Sequence, residues 1–334
     1  MFIPESYTLA VILCIITMFC WGSWANTQKL ASKSWSFPLY YWDYSIGIIL
    51  LTLIFGFTFG SIGESGRGFM EDLSQASTSS YMSALLGGAI FNIANLLIVA
   101  AIDIAGMAVA FPVGIGIALV LGVIVNYVAT PVGDPTVLFI GVVLVVIAII
   151  LDALAYGRLS SSNKSTPVKG IIISVVGGVL MGFFYRFVAA ATTTNFTSPE
   201  AGLFTPYAAV FVFAIGIFLS NFVWNTYFMY KPISGERVTY MDYFKKGNTR
   251  LHLIGILGGV IWCIGMSFSL IASEKAGFAI SYGLGQGATM VAAAWGVFVW
   301  KEFKDAPEGT NRLIRSMFIF FLAGLALIIY ARIV

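Results

Sequence analysis

The chain has 334 residues, 59% hydrophobic and 10% charged, with a mean hydropathy of +0.93. A soluble domain carries about 25% charged residues, so this composition excludes a water-covered globular protein and puts the chain in a bilayer. The net charge of +3 carries no signal for nucleic acid; the placement of the charges is what informs.

Ten apolar stretches are long enough to cross about 30 Å of hydrocarbon at roughly 1.5 Å per residue. They cover residues 6–31, 38–60, 82–103, 106–128, 136–157, 169–190, 206–229, 252–273, 277–299 and 313–332. No basic region precedes the first, and it outruns a signal-peptide core, so it reads as an uncleaved transmembrane helix. Within it, Trp21-Gly22-Ser23-Trp24-Ala25-Asn26 puts two tryptophans one turn apart beside small residues. Flat aromatic walls at that depth suit a planar ring or the apolar face of a sugar, and Asn26 adds an amide. Trp35 and Trp42 read as members of the interfacial belt. The cysteines Cys14, Cys20 and Cys263 lie in apolar runs and read as buried free thiols.

Ionisable residues inside a membrane are functional candidates by default. Asp43, near one end of the second stretch, is either an interfacial N-cap or a proton-coupling acid, and the latter is preferred. In the third stretch Asn92 and Asn95, three apart, share a helix face. In the fourth, Phe111-Pro112-Val113-Gly114-Ile115-Gly116 puts a proline and glycines where a helix tolerates them badly. Such defects survive at membrane depth when buried in protein or lining a wet cavity, so this stretch is expected to face substrate. Asp152 in the fifth stretch is either a partner of Arg158, about a turn and a half on, or a functional acid. Arg186 in the sixth snorkels, pairs with Glu200, or serves as a substrate or gating contact. The seventh repeats the amide pattern with Asn221, Trp224 and Asn225. These amide pairs are either helix–helix glue or a polar lining. The ninth holds Tyr282-Gly283-Leu284-Gly285-Gln286-Gly287-Ala288-Thr289, with Gln286 and Thr289 on one face beside the glycines.

The fourth and ninth stretches correspond. A shift of 171 residues lays Gly87-Gly88-Ala89-Ile90 on Gly258-Gly259-Val260-Ile261. It also lays Asp103 on Glu274, Ala105-Gly106 on Ala276-Gly277, and Gly114 and Gly116 on Gly285 and Gly287. The paired glycines, including Gly177-Gly178, read as close helix packing. The chain is thus read as two five-helix repeats, 1–160 and 161–334. An odd number of crossings makes the repeat inverted, and interrupted helices at matching positions point to a transporter's substrate site. Connections after odd-numbered stretches hold 14 of the 18 Lys and Arg residues, Lys33 and Lys164 included. The positive-inside rule then makes that face cytoplasmic and puts both termini outside.

The motifs Trp21-Gly22-Ser23-Trp24, Trp42-Asp43-Tyr44 and Phe111 to Gly122 resemble the ureide permease family. So do Gly133-Asp134-Pro135, Ala153-Leu154-Ala155-Tyr156, Gly285-Gln286-Gly287 and Trp295 to Glu302. That family resembles in turn the glucose, ribose and rhamnose uptake proteins of the drug/metabolite transporter superfamily. The resemblance implies ten helices in an inverted repeat, alternating access, and proton-coupled import of ureides such as allantoin, oxopurines or pyrimidine bases. The chain departs from it in two places. Plant members carry a long central loop with a nucleotide-binding-like motif, whereas 157–169 is short and its Asn163-Lys164-Ser165 lacks a P-loop context, so no ATP is expected. Asp152 stands where the resemblance leads one to expect an amide, which leaves its role open.

An enzyme is disfavoured: with one histidine, His252, there is no His-carboxylate cluster for a metal and no nucleophile elbow. The reading is an all-α secondary transporter of the cytoplasmic membrane, without cofactor or metal, driven by an ion gradient that is expected to be protons. A monomer suffices. The expected solute is a nucleobase or ureide; a symported sugar is the alternative, and export of drugs a more distant one.

Overall fold

The computed structural model describes residues 1–31, 35–159, 168–232 and 236–334, without the side chains of Met107, Ala108 and Phe111. Lys33, the Asn163-Lys164-Ser165 stretch and the Phe111 side chain, all singled out in the sequence, lie outside that description. Among the described residues the chain is helical, apart from a single bridge between Thr192 and Phe204.

In chain order, α1 (Tyr7–Ser23) is capped by Ser6 and continues after a turn at Trp24 into α2 (Ala25–Ala31). Pro38 opens α3 (Phe37–Phe57), where a missing N–H costs nothing. The short α4 (Phe69–Gln75) precedes α5 (Thr78–Ala105), α6 (Met107–Ala129), α7 (Pro135–Leu159) and α8 (Val168–Ala191). Then come α9 (Pro206–Asn221), the short α10 (Trp224–Tyr230) and α11 (Tyr240–Lys246), and α12 (Thr249–Ala276). The pieces α13 (Phe278–Gly285) and α14 (Ala288–Ala294) lead through a π-helical turn at Trp295–Val299 to α15 (Thr310–Tyr330). Nine helical spans among the described residues are long and apolar enough to cross a membrane, counting α1 with α2 and α9 with α10 as one each.

The ninth predicted stretch is the exception. The glycines of Gly283-Leu284-Gly285-Gln286-Gly287 end α13, and a tight turn in which Gly287 donates to the Leu284 carbonyl (3.0 Å) leads into α14. The corresponding defect expected at Pro112 does not interrupt its helix: α6 runs through it, and Pro112 faces a groove beside Ile150, Leu154 and Leu313. One proline removes a single donor, which a helix supported by neighbours tolerates. Two glycines flanking a glutamine remove side-chain support from a whole turn.

The helices α5 and α12 are counterparts in detail. Each has 28 residues; Ser77 and Asn248, 171 apart, cap their first turns, and Gly106 and Gly277 end them at φ 79° and 81°. An L side chain rarely enters that backbone region, so glycine stops both helices at the same place. Their neighbours correspond as well. Helix α5 lies against α8 and α9, while α12 lies against α1 and α3, so each long helix packs mainly on the other half of the chain. The close approach is made at the paired glycines. A Cβ on Gly88 would sit 2.1 Å from the Phe213 carbonyl oxygen, and one on Gly259 1.9 Å from that of Tyr44.

Two interfacial expectations are corrected. Trp35 and Trp42 are buried rather than belted: Trp35 Nε1 donates to Asp43 Oδ2 (3.1 Å), and Trp42 Nε1 points at the Met229 sulfur. Asp43 is not an N-cap, since α3 begins six residues earlier at Phe37. The cysteines Cys14, Cys20 and Cys263 are free.

Candidate functional site

A cavity of about 480 Å³ lies between the helices, and two of the three broken spans, α1–α2 and α13–α14, open onto it. The turn between α1 and α2 delivers Trp21, Trp24 and Asn26 to its wall, and the turn between α13 and α14 delivers Gln286 and Thr289. Trp21 is held from two sides by glycines. A Cβ on Gly265 would lie 2.6 Å from its indole Cδ1, and one on Gly285 2.7 Å from its Cζ3. Its Nε1 donates to the Trp262 carbonyl (3.2 Å), which fixes the plane of the ring.

That ring heads an aromatic wall. Trp21 and Trp262 stack at 6.0 Å with 13° between planes, Phe91 meets Trp262 at 4.4 Å, and Phe184 meets Phe91 edge-on at 5.1 Å. The polar groups on the wall are few. Asn95 donates from its amide nitrogen to Tyr41 OH (3.2 Å), and Thr289 donates to the Gln286 carbonyl (3.0 Å). Gln286 is 8% exposed and lines the cavity, and its side-chain amide has no hydrogen-bond partner among the described residues. An amide that opens onto a largely apolar cavity is available to pair with a solute. A wide apolar wall with one or two unsatisfied amides is the chemistry of a small-molecule site.

At one end the cavity reaches a charged mouth. Lys29 Nζ lies 2.6 Å from Glu302 Oε1 and above the Trp300 ring, Tyr156 OH donates to Glu302 Oε2 (2.8 Å), and Trp300 Nε1 donates to Asn26 Oδ1 (2.7 Å). Away from the mouth the helices close tightly: Tyr282 OH donates to the Ala118 and Met181 carbonyls, and Tyr185 OH bonds Ser269 and Ser281.

Of the sequence candidates, Trp21, Trp24, Asn26, Asn95, Gln286 and Thr289 share this cavity. Others do not line it. Tyr282 lies behind the wall, holding α13 to α6 and α8. Asn92 binds the Ile217 carbonyl and Ser220, which makes it a tie between α5 and α9. Asn225 donates to the Pro38 carbonyl, Asn221 is fully buried with both amide atoms unpartnered, and Trp224 is 37% exposed on α10. Arg186 is half-buried on α8 and outside the cavity. The Asp152–Arg158 pair is absent, as Arg158 instead donates to the Glu308 carbonyl.

Comparison with known proteins decides the family. The family model for ureide permeases matches residues 40–169 and 159–331. The chain belongs to the ureide permease family. Ureide permease 1 of Arabidopsis thaliana is 22% identical over 98% of this chain and 98% of its own. Ureide permease 4 of the same plant is 23% identical over the same share of each. A probable ureide permease A3 of Vigna unguiculata is 29% identical over 48% of this chain and 43% of its own. A solved crystal structure 15% identical in sequence superposes with a TM-score of 0.58, covering 97% of this chain and 98% of that one. This ureide permease relative is therefore a multi-pass membrane protein of a transporter family.

The permease holds a second polar cluster outside the cavity. Asp43, 1% exposed, accepts from Trp35 Nε1 at one oxygen and from Tyr243 OH (2.5 Å) at the other, where His252 Nδ1 also lies at 2.9 Å. Tyr243 comes from α11, a helix outside the spans that starts with a capping box of Thr239 and Asp242. The Asp242 carboxyl is held down to about 2 by the Thr239 hydroxyl, the Lys246 ammonium and the Thr239 backbone N–H. On the opposite face of the permease Asp72 accepts from Thr205 N, Thr205 Oγ1 and Arg67, tying α4 to the segment before α9; burial pushes its carboxyl up against those bonds.

Sequence reading missed Phe91, Trp262 and the Lys29–Glu302 mouth. Phe91 and Trp262 are 171 apart, so the repeat itself carried the signal: both follow the matched glycine pairs by the same three or four residues. The mouth gave none, because a lysine and a glutamate in connecting segments look like ordinary loop charges.

Proposed function

We propose that this chain imports a small planar polar solute, a ureide or nucleobase, by alternating access coupled to protons. The observation that carries the reading is the stacked wall of Trp21, Trp262 and Phe91 facing the unpartnered Gln286 amide. A planar ring bearing both N–H and C=O groups gains stacking from the wall and pairs with an amide as donor and acceptor at once. The relatives named ureide permeases match over 98% of this chain and 98% of their own and support that solute class.

Ten spans in an inverted repeat are the architecture proposed. In support, α5 and α12 share caps and length at a spacing of 171, and α13–α14 supplies a tenth, broken crossing in the manner of transporter binding sites. The positive-inside rule assigns the mouth with Lys29 and Glu302 to the cytoplasm, both termini to the outside, and the protein to the cytoplasmic membrane. Asp43, with His252 and Tyr243 on it, is proposed as a coupling acid, and neither ATP nor a metal takes part.

A thermal-shift screen of the detergent-purified protein tests the solute class. A ligand that binds only the folded state stabilises it by about RT ln(1 + [L]/Kd). Millimolar allantoin or uracil is expected to raise the melting temperature. A shift with ribose, glucose or rhamnose and none with the planar ligands would replace this reading with sugar uptake.

A further inference from the structure

Asp152 is the buried carboxyl that nothing so far employs. It lies on α7 and is 7% exposed, and it has no hydrogen-bond or ion-pair partner among the described residues. One turn on, Tyr156 lines the cavity and donates to Glu302 Oε2, so Asp152 stands behind the mouth. The charges of the mouth beside Tyr156 are Lys29, Asp103 and Glu302, which line the cavity with it. Among the described residues α6 carries Tyr127 alone at its far end, and Arg312 and Arg315 are exposed on the first two turns of α15. Arg158, on its own helix, is turned to the Glu308 carbonyl. Through Tyr156, one turn along its own helix, Asp152 is linked to the carboxylate of Glu302.

Two carboxylates cannot both be ionised at low cost in this setting. Glu302 has Lys29 and Tyr156 to hold its charge, whereas Asp152 has nothing. We propose that Asp152 is a proton-binding site of the transporter, and that its proton governs the clasp made by Lys29 and Glu302 across the mouth. With Asp152 neutral, Glu302 keeps its charge and ties α2 to the segment after the π-helical turn. When Asp152 loses its proton, the new negative charge repels Glu302 and competes with it for the Lys29 ammonium, and the clasp loosens. Proton binding thereby closes the mouth that the cavity opens through. The inference deepens the proposed function, since it rests on the cavity being the solute site, but the clasp is observable without any solute.

The test is hydrogen–deuterium exchange of the full-length protein in liposomes across a pH series, corrected for the intrinsic pH dependence of exchange. Segments 24–31 and 295–302 report on the clasp. In the wild type their protection is expected to fall with rising pH by about threefold to fivefold, the effect of one part-exposed ion pair. Asp152→Asn, a fixed neutral mimic, is expected to stay protected at every pH, and Glu302→Gln to stay unprotected. Infrared spectra of the same samples are expected to contain a protonated-carboxyl C=O band that Asp152→Asn lacks. A wild type without pH dependence, an Asp152→Asn protein that follows the wild-type profile, or a Glu302→Gln protein that keeps the pH response would each overturn the proposal. Allantoin uptake indifferent to a pH gradient would remove proton coupling from the proposed function and leave the exchange result to decide the clasp alone.

Discussion

Trp21 shows how little freedom a binding wall leaves its residues. Gly265 and Gly285 make room for the indole, the Trp262 carbonyl sets its plane, and Trp262 stacks on it. Aromatic pairs of this kind are worth about 0.5–1.5 kcal/mol beyond the area they bury. Replacing Trp21 with Ala is therefore expected to weaken binding of a planar ligand by roughly tenfold or more once the lost area is included. A single neutral hydrogen bond contributes about 0.5–1.5 kcal/mol. Gln286→Ala should accordingly cost about two- to twelvefold in affinity, read by calorimetric titration with allantoin. Equal affinity in both variants would move the binding site elsewhere. At this scale the sequence was legible at two helix interruptions, where Trp21, Trp24, Asn26, Gln286 and Thr289 all reach the cavity, but not at the α9–α10 break, where Asn221, Trp224 and Asn225 do not. It was less legible for amides in unbroken helices. Asn92 and Asn95 share a face, yet Asn92 meets Ser220 and Asn95 meets the cavity, because spacing gives the face and not the neighbour.

The elements owe their ends to single residues. Gly106 and Gly277 hold the same positive-φ backbone, but their surroundings differ: a Cβ on Gly106 meets nothing within 4 Å, while one on Gly277 would lie 2.8 Å from Val132 Cβ. Both Ala variants should lose about 1–3 kcal/mol to backbone strain, with Gly277→Ala destabilised further by the clash. Thermal unfolding in detergent measures the difference, and an equal loss would show that strain alone acts. Helix α11 offers a pH test. Asp242 is held below its ordinary value in the folded chain, so its contribution is present above about 3.8 and is lost as pH falls through about 2. Exchange protection of Tyr240–Lys246 should fall across that window, and Asp242→Asn should abolish the transition. Helix interruptions were read from sequence as a matched pair at Pro112 and at Gly285–Gly287; only the second occurs. Composition marks a weak point in a helix, but whether it opens depends on the helices supporting it.

Across the whole molecule the long helix of each half packs on the other half's helices, which joins the two halves around one cavity. The apolar count made nine of the ten expected spans readable among the described residues, and the caps of α5 and α12 stand at the 171-residue spacing. The mouth was not readable, because Lys29 and Glu302 are 273 residues apart and only the fold brings them together. It is at this scale that transport must be tested. The most direct measurement is uptake of labelled allantoin into proteoliposomes with an imposed pH gradient, with uracil and glucose as competitors. Proton-coupled import of a planar solute predicts saturable, gradient-driven accumulation, inhibited by uracil and not by glucose. It also predicts that Asp43→Asn keeps exchange but loses accumulation. Absence of saturable uptake of either allantoin or labelled uracil, alongside accumulation of labelled glucose, would contradict it.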